Sequence, residues 1–282
     1  MPFPVPGRIA ELLRRSTVQV RGERETWQGS GSGIALVDGR IVTNCHVVID
    51  RQPVIETWEG TTAPARILKT DRHRDLALLQ TERLRTVPAV LSSNTPQGGQ
   101  PVIAVGNPLG FVGAVSTGTI HRVGSIRGLG MAQWIQSNLR LAPGNSGGPL
   151  SDIHGQIVGV NTMIAGPFAL AIPASTVQSF LSAKSQPPSL GVTVRPVSIR
   201  VENSRFGLIV LEVEKESSAD RASLLQGDVL VSANDEPLRY PDDLYRAISN
   251  GGALIVGFLR GDAARVRRVT VQLSNERVVN AA

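Results

Sequence analysis

The apolar residues of this chain arrive in short β-branched runs, and this limits the folds open to it. "GRIVTNCHVVI", "RDLALLQ", "QIVGVNTMI" and "GLIVLEVE" are each bounded by Gly, Pro, Asn or Asp. Runs of that length and chemistry read as strands. Helical patterns are few, the best of them at residues 8–15, 175–183 and 241–249. Hydrophobic residues fill 41% of 282 positions, enough for real cores, whereas aromatics fill only 4%. The cores must therefore be built mostly of Val, Ile, Leu and Ala. The predicted class is mainly β, in about two domains.

The clearest break is "SAKSQPPS", residues 182–189. It is polar, carries Pro187-Pro188 and follows a helical pattern, so it reads as a short, stiff linker. The expected division is a first domain over 1–183, a linker over 184–189, a second domain over 190–277 and a tail over 278–282. "GSGSG", residues 29–33, has a linker's composition, but a strand pattern follows at once. A turn within the first domain is expected there.

One cysteine, Cys45, excludes an internal disulfide framework. No stretch is apolar for long enough to span a membrane. The first residues hold no apolar run of signal-peptide length, so the protein either stays inside the cell or has its export segment outside this sequence. The net charge of +6 is uneven: 17 basic against 11 acidic residues precede Leu190, and 12 against 12 follow. A nucleic-acid reader would show a basic stripe with interleaved aromatics, and neither is present. Scattered arginines read as a solvated face, and no nucleic-acid partner is expected.

"LRLAPGNSGGPLSD" sets Ser146 between an asparagine and two glycines. A surface turn explains such a composition, but so does a nucleophile beside an oxyanion hole, which needs tightly folded backbone with free amides. A serine nucleophile needs a base, usually histidine. Four are available. His46 ends an apolar run, where a buried structural histidine is also expected. His73 sits in the polar "TDRHRD", and His121 and His154 lie in turn-like contexts. The base needs a carboxylate to hold its tautomer. Asp75 opens the run "DLALLQ", although it could be a strand-end turn residue or an ion pair with Arg72 or Arg74. Asp71, Asp50 and Asp38 have no such run to anchor them. The order His46, Asp75, Ser146 matches that of chymotrypsin-like double β-barrel proteases.

"TNCHVV", "DLALL", "AVGNPLG" and "PGNSGGPL", in that order, resemble the hallmark segments of the HtrA (Deg) serine proteases, and the likeness continues through "GQIVGVNT" and "ALAIP". The resemblance implies a catalytic triad of His46 as base, Asp75 as orienting acid and Ser146 as nucleophile. It implies an oxyanion hole from the N–H groups of Gly144 and Ser146, with Asn145 in the same turn. The substrate pocket would involve Leu139, Arg140, Leu141, Asn161 and Thr162. No metal or other cofactor is implied. "LGVTV" followed by "GLIVLEVEKESSADRASLLQGDVL" resembles a PDZ domain, which binds C-terminal peptides by β-augmentation. Leu190, Gly191, Val192, Thr193 and Val194 would bind the peptide, and the helix at 241–249 would wall the groove. "FGLIV", residues 206–210, also looks like a carboxylate loop but lies too close to "SSADRASLL" for PDZ order.

The family likeness implies unfolded or misfolded proteins as substrates, in protein quality control, and a homotrimer. Three departures stand out. Cys45 occupies a position where many members have a small residue. Asn138, Leu139 and Arg140 replace an acidic and two small residues. Only Phe3 precedes the first helical segment, where the family's trimer-forming aromatics lie. Arg140 stands six residues before Ser146, at the base of the side-chain pocket in chymotrypsin-like folds. The alternation of "LRL" instead points Arg140 outward. The regulatory loops are expected near 117–133, 141–145 and 163–168. A non-proteolytic peptide-binding or chaperone protein on the same fold is the alternative.

Overall fold

The computed structural model describes residues 7–22, 30–50, 52–82, 84–126, 133–183, 188–201, 204–249, 251–261 and 265–273. The chain divides into two compact units, Met1–Lys184 and Ser185–Ala282. The expected linker lies largely outside the described residues, as do residues 274–282.

The first unit opens with α1 (Gly7–Ser16), which buries Leu13 and caps itself where Ser16 and Thr17 donate to the Leu13 carbonyl. Seven strands follow: β1 (Thr17–Arg21), β2 (Gly31–Ala35), β3 (Arg40–Thr43), β4 (Val54–Glu56), β5 (Thr62–Pro64), β6 (Arg66–Asp71) and β7 (Leu76–Gln80). They form one antiparallel sheet in the order β5-β4-β1-β2-β3-β7-β6. The expected turn at 29–33 is corrected here: Gly31 to Gly33 belong to β2, a strand buried along its whole length between β1 and β3. Small residues suit a strand with no solvent-facing side.

Six further strands, β8 (Pro101–Gly106), β9 (Ala114–Gly124), β10 (Trp134–Ser137), β11 (Pro149–Ser151), β12 (Ile157–Ala165) and β13 (Phe168–Pro173), close into a barrel in the order β10-β13-β12-β11-β8-β9. Much of the irregular segment expected from residue 117 is therefore strand β9, and residues 127–132 lie outside the described residues. Residues 163–168 are a β12–β13 hairpin. One apolar cluster joins the seven-stranded sheet to the barrel: Ile34, Val42 and Leu76 from one side pack with Ile103, Val105 and Ile157 from the other. Among the described residues, the aromatics buried in it are Trp134 and Phe180, in keeping with the low aromatic content. The unit is mainly β, with the barrel-like sheets of chymotrypsin-like proteases.

Helix α2 (Ala174–Ser182) follows β13 and buries Ala174, Val177 and Phe180. Its last turn exposes carbonyls that the helix cannot satisfy itself. Lys69 of β6 supplies a cation there: its Nζ donates to the carbonyls of Phe180, Leu181 (3.2 Å) and Ala183 (3.0 Å) and lies over the Phe180 ring. Burial, with Arg40 nearby, holds this amine below the usual lysine range.

The second unit is a sheet with two helices. Its elements are β14 (Val192–Val201), β15 (Ser204–Val213), α3 (Ser218–Arg221), β16 (Val229–Ala233), β17 (Glu236–Pro237), α4 (Pro241–Ile248), β18 (Gly252–Leu259) and β19 (Arg267–Leu273). The strand order is β14-β15-β16-β18-β19, with β17 beside β16. Leu190, Leu208, Leu230, Leu244, Ile248, Val256 and Phe258 form the core. Asp228, almost fully buried, receives two bonds of 2.7 Å from Arg260 and one of 2.8 Å from the Leu225 N–H. A buried carboxylate needs partners of this kind. They tie the turn before β16 to the end of β18.

Replacing Lys69 by Met keeps the apolar stem and removes the cation from the end of α2. The expected loss is about 1–2 kcal/mol, seen as a fall of about 3–6 °C in the thermal midpoint of the first unit by differential scanning calorimetry. An unchanged midpoint would mean that water serves those carbonyls equally well.

Candidate active site

Strands β3 and β7 are antiparallel neighbours with Thr43 opposite Ala77. The residues just beyond these paired ends, Cys45-His46 after β3 and Asp75 before β7, must then meet. His46 sits in a single 3-10 turn, Cys45–Val47. Its Nδ1 lies 2.7 Å from Asp75 Oδ2, and its backbone N–H donates to Asp75 Oδ1 at 3.0 Å. Asp75 adopts a left-handed backbone conformation, φ 53°, which Asp tolerates better than most residues. The Asn44 amide holds it there by donating to the Asp75 carbonyl at 2.9 Å.

The competing carboxylates have other surroundings. Asp71 accepts from the Arg74 N–H at 3.0 Å and from the Arg74 guanidinium at 3.2 Å, so the ion pair conceived for Asp75 and Arg74 belongs to Asp71. Asp38 lies in the turn Val37–Gly39. The other histidines also stand apart in the fold: His73 is in an exposed turn, His121 stacks on Phe168 at 4.7 Å, and His154 is in the turn after β11.

The barrel supplies the other half of the site. Ser146 lies in the turn between β10 and β11, and Thr162 lies on β12. Thr162 Oγ1 donates to Asp75 Oδ2 at 2.7 Å. Asp75 therefore collects hydrogen bonds from both sheets. The Asp75 hydrogen bond, reinforced by its charge, raises the His46 pKa above 6.5, and partial burial opposes the rise. The Ser146 hydroxyl donates to the Thr162 carbonyl at 2.8 Å instead of to the His46 ring.

The serine turn is built by close approach. Gly144 has φ 102° and Gly147 has φ 84°. A Cβ at Gly144 would lie 2.5 Å from the Asn107 carbonyl oxygen, and one at Gly147 would lie 2.0 Å from that of Ser32. No side chain fits at either position. The Pro143 carbonyl accepts from the Leu109 N–H at 3.3 Å. In a trans peptide the Gly144 N–H then points the opposite way. Asn145 lies in the same turn, as expected: its N–H donates to the Ala142 carbonyl at 3.1 Å, and its side-chain amide donates to the same oxygen at 2.9 Å. It closes the turn, with its backbone N–H turned to Ala142 and away from the reacting oxygen.

The expected pocket residues scatter. Leu139 is buried in the barrel core with Val102, Ile120 and Ile135, and Leu141 packs against that cluster. Arg140 is exposed, as the alternation of "LRL" predicts. The Asn161 side chain donates to the Pro149 carbonyl at 2.9 Å, and that of Thr162 faces Asp75. Sequence reasoning missed the Thr162–Asp75 bond, although a polar Asn-Thr pair inside the apolar run "QIVGVNTMI" was a signal. It also missed Asn44, buried beside His46 in the same motif. Among the described residues, no group of three or more His, Cys, Asp or Glu could hold a metal ion.

In the second unit, Leu190 is buried in the core and Gly191 has φ 75°. Val192, Thr193 and Val194 begin β14, which ends its sheet, and α4 packs beside that strand.

Residues 31–160 match the trypsin-like peptidase domain. The chain is 33% identical over 249 residues to a DegP-like periplasmic serine endoprotease of Brucella suis, covering 81% of this chain and 48% of the relative. Serine protease HTRA4 of Mus musculus is 30% identical over 296 residues, 94% of this chain and 61% of the relative. The chain thus spans about half to three-fifths of these two relatives. HhoA of Synechocystis, which also bears a serine protease name, is 34% identical over 310 residues, 98% of this chain and 74% of the relative. Among solved structures, a serine endoprotease from Yersinia pestis superimposes with a TM-score of 0.61 at 23% identity, covering 98% of this chain and 100% of the other. An HtrA-type protease, AlgW, with a bound tripeptide gives 0.60 at 24%, covering 96% and 97%. The structural likeness supports the fold, and the relatives' identity and coverage carry the relationship: the chain belongs to the HtrA (Deg) family of trypsin-like serine proteases.

Proposed function

We propose that this protein is a serine endopeptidase that cuts unfolded or misfolded proteins. The observation that carries the reading is the 2.7 Å bond between His46 Nδ1 and Asp75 Oδ2, made beside a glycine-built turn bearing Ser146. Asp75 holds the Nδ1–H tautomer and leaves Nε2 free to accept a proton. The Ser146 hydroxyl swings from the Thr162 carbonyl to Nε2. A side-chain rotation of this kind takes picoseconds to nanoseconds, far faster than turnover.

Ser146 Oγ then bonds to the scissile carbonyl carbon as His46 takes its proton. The carbonyl oxygen becomes an oxyanion, facing the N–H groups of Gly144 and Ser146. Collapse breaks the C–N bond, and His46 gives the proton to the leaving amine. Water repeats the sequence on the acyl-enzyme and returns the free serine. The exposed Arg140 supports a preference for aliphatic side chains before the scissile bond, as the family resemblance implies.

The second unit fits a PDZ domain that takes apolar C-terminal peptides along β14. As an end strand, β14 offers unpaired backbone groups to a peptide strand, and the left-handed Gly191 turn beside it suits a carboxylate nest. Assembly as a homotrimer completes the proposal on family resemblance.

Ser146→Ala should abolish casein cleavage and labelling by a fluorophosphonate while the thermal midpoint stays put. Cleavage near the wild-type rate would refute the assignment. Asp75→Asn should lower kcat by about 10⁴-fold. The base must be neutral to accept a proton, so activity rises with pH through the His46 pKa. Because Asp75 raises that pKa, the acidic limb of kcat/KM should have its midpoint above 6.5 in wild type and lower in Asp75→Asn. A midpoint that does not move would mean Asp75 is not the ring's partner in solution. For the second unit, calorimetry on the full-length Ser146→Ala protein should show a peptide with an apolar free C-terminus binding more tightly than its C-terminal amide. Equal affinities would remove the carboxylate nest.

A further inference from the structure

Ser32, the second serine of "GSGSG", is fully buried on β2, yet every hydrogen-bonding group it has points into the nucleophile turn or its supports. Its hydroxyl donates to the Gly144 carbonyl at 2.7 Å. Its backbone N–H donates to the Ser146 carbonyl, also at 2.7 Å. Its own carbonyl accepts from Thr43 Oγ1 at 2.6 Å, at the end of the strand that leads to His46. The hydroxyl oxygen also accepts from the Asn107 backbone N–H at 3.0 Å and from the Asn107 side-chain amide at 3.2 Å. One donor and two acceptor sites exhaust a hydroxyl. Asn107 is likewise held, donating to the Val18 carbonyl at 3.1 Å and accepting from the Gly113 N–H at 2.9 Å.

These bonds bracket the oxyanion donors. The Ser146 N–H belongs to the 145–146 peptide. Ser32 holds the peptides on either side of it, 144–145 through its hydroxyl and 146–147 through its N–H. The first of these also sets ψ of Gly144, whose own N–H is the second donor. Glycine has no Cβ to resist rotation at that point, so a flipped Gly144 is opposed chiefly by bonds to its neighbouring peptides. Among the described residues, Ser32 Oγ is the side-chain group that makes such a bond to the Gly144 carbonyl.

We propose that Ser32 is a positioning residue for the oxyanion hole: its hydroxyl holds the 144–145 peptide so that the Gly144 and Ser146 N–H groups stay aimed at the reacting oxygen. The role rests on the serine-protease reading. Ser32 does not touch substrate and acts through the turn. Its effect falls on the transition state, because the substrate carbonyl is only weakly charged before attack. The His46–Asp75 pair is untouched.

Ser32→Ala removes the hydroxyl and keeps the backbone N–H bond to Ser146. Kinetics on a small peptide substrate, with active sites titrated by a fluorophosphonate, should give a kcat per labelled site lower by about 10- to 100-fold, within the range for losing an oxyanion donor. KM should be unchanged, as should the acidic midpoint of the pH profile. Affinity for a peptide boronate, which mimics the tetrahedral intermediate, should fall in step with kcat/KM. A merely structural role would lower the labelled fraction or the thermal midpoint and leave kcat per labelled site at the wild-type value, and that result overturns the inference. So does an unchanged boronate affinity. Should the alanine variant not fold, Ser32→Cys, with a weaker donor of similar shape, is measured the same way and should lie between wild type and a 100-fold loss; a wild-type kcat per site there overturns the inference. A wild type that neither cleaves nor labels overturns the protease reading as well. A wild type that does both, beside an Ser32→Ala variant that matches it, overturns this inference alone.

Discussion

The site depends on one half-buried carboxylate. Asp75 receives two hydrogen bonds from His46 and one from Thr162, so its two oxygens tie the seven-stranded sheet to the barrel at the point where the serine turn lies. Bonds to a charged acceptor are stronger than neutral ones, about 1.5–3 kcal/mol each. Without these partners the carboxylate would move toward water and the imidazole would lose its tautomer and its direction. The same contact raises the His46 pKa, so alignment and basicity come from a single interaction.

The serine turn is shaped differently, by exclusion of side chains. At Gly144 and Gly147 the approach of Asn107 and Ser32 leaves no room for a Cβ, and the backbone groups so exposed are then held by polar partners from β2 and the end of β8. Close packing and hydrogen bonding cooperate here. Glycine lets the backbone come near, and Ser32 and Asn107 stop it from rotating once there. The resting hydroxyl of Ser146 turns toward Thr162, the residue that also braces Asp75. Nucleophile and acid thus share one support on β12. The second unit relies on a comparable device, the Asp228–Arg260 pair, to hold its turn before β16.

Much of this was legible in the residues. Short β-branched runs gave strands where strands are found, and the three helical spacings match α1, α2 and α4 to within a residue or two. The outward direction of Arg140 followed from the alternation of its neighbours. These features are local: a period of two or of 3.6, a capping residue, or a turn that only glycine can make is written in adjacent positions.

The misread features were those whose partners lie far along the chain. "GSGSG" looks like a turn because small residues usually mark turns, yet Gly31 to Gly33 belong to a buried strand, since β1 and β3 enclose it on both sides. The bond from Thr162 to Asp75 joins residues 87 positions apart and is equally invisible in the spacing. By itself, the sequence determined the strand-rich class, the family, and which His, Asp and Ser were available for chemistry. Only the tertiary structure decided that Asp75 takes His46 and that Ser32 faces the nucleophile turn. Strand register and the meeting of two sheets set those pairings, and neither is encoded in the spacing of residues along the chain.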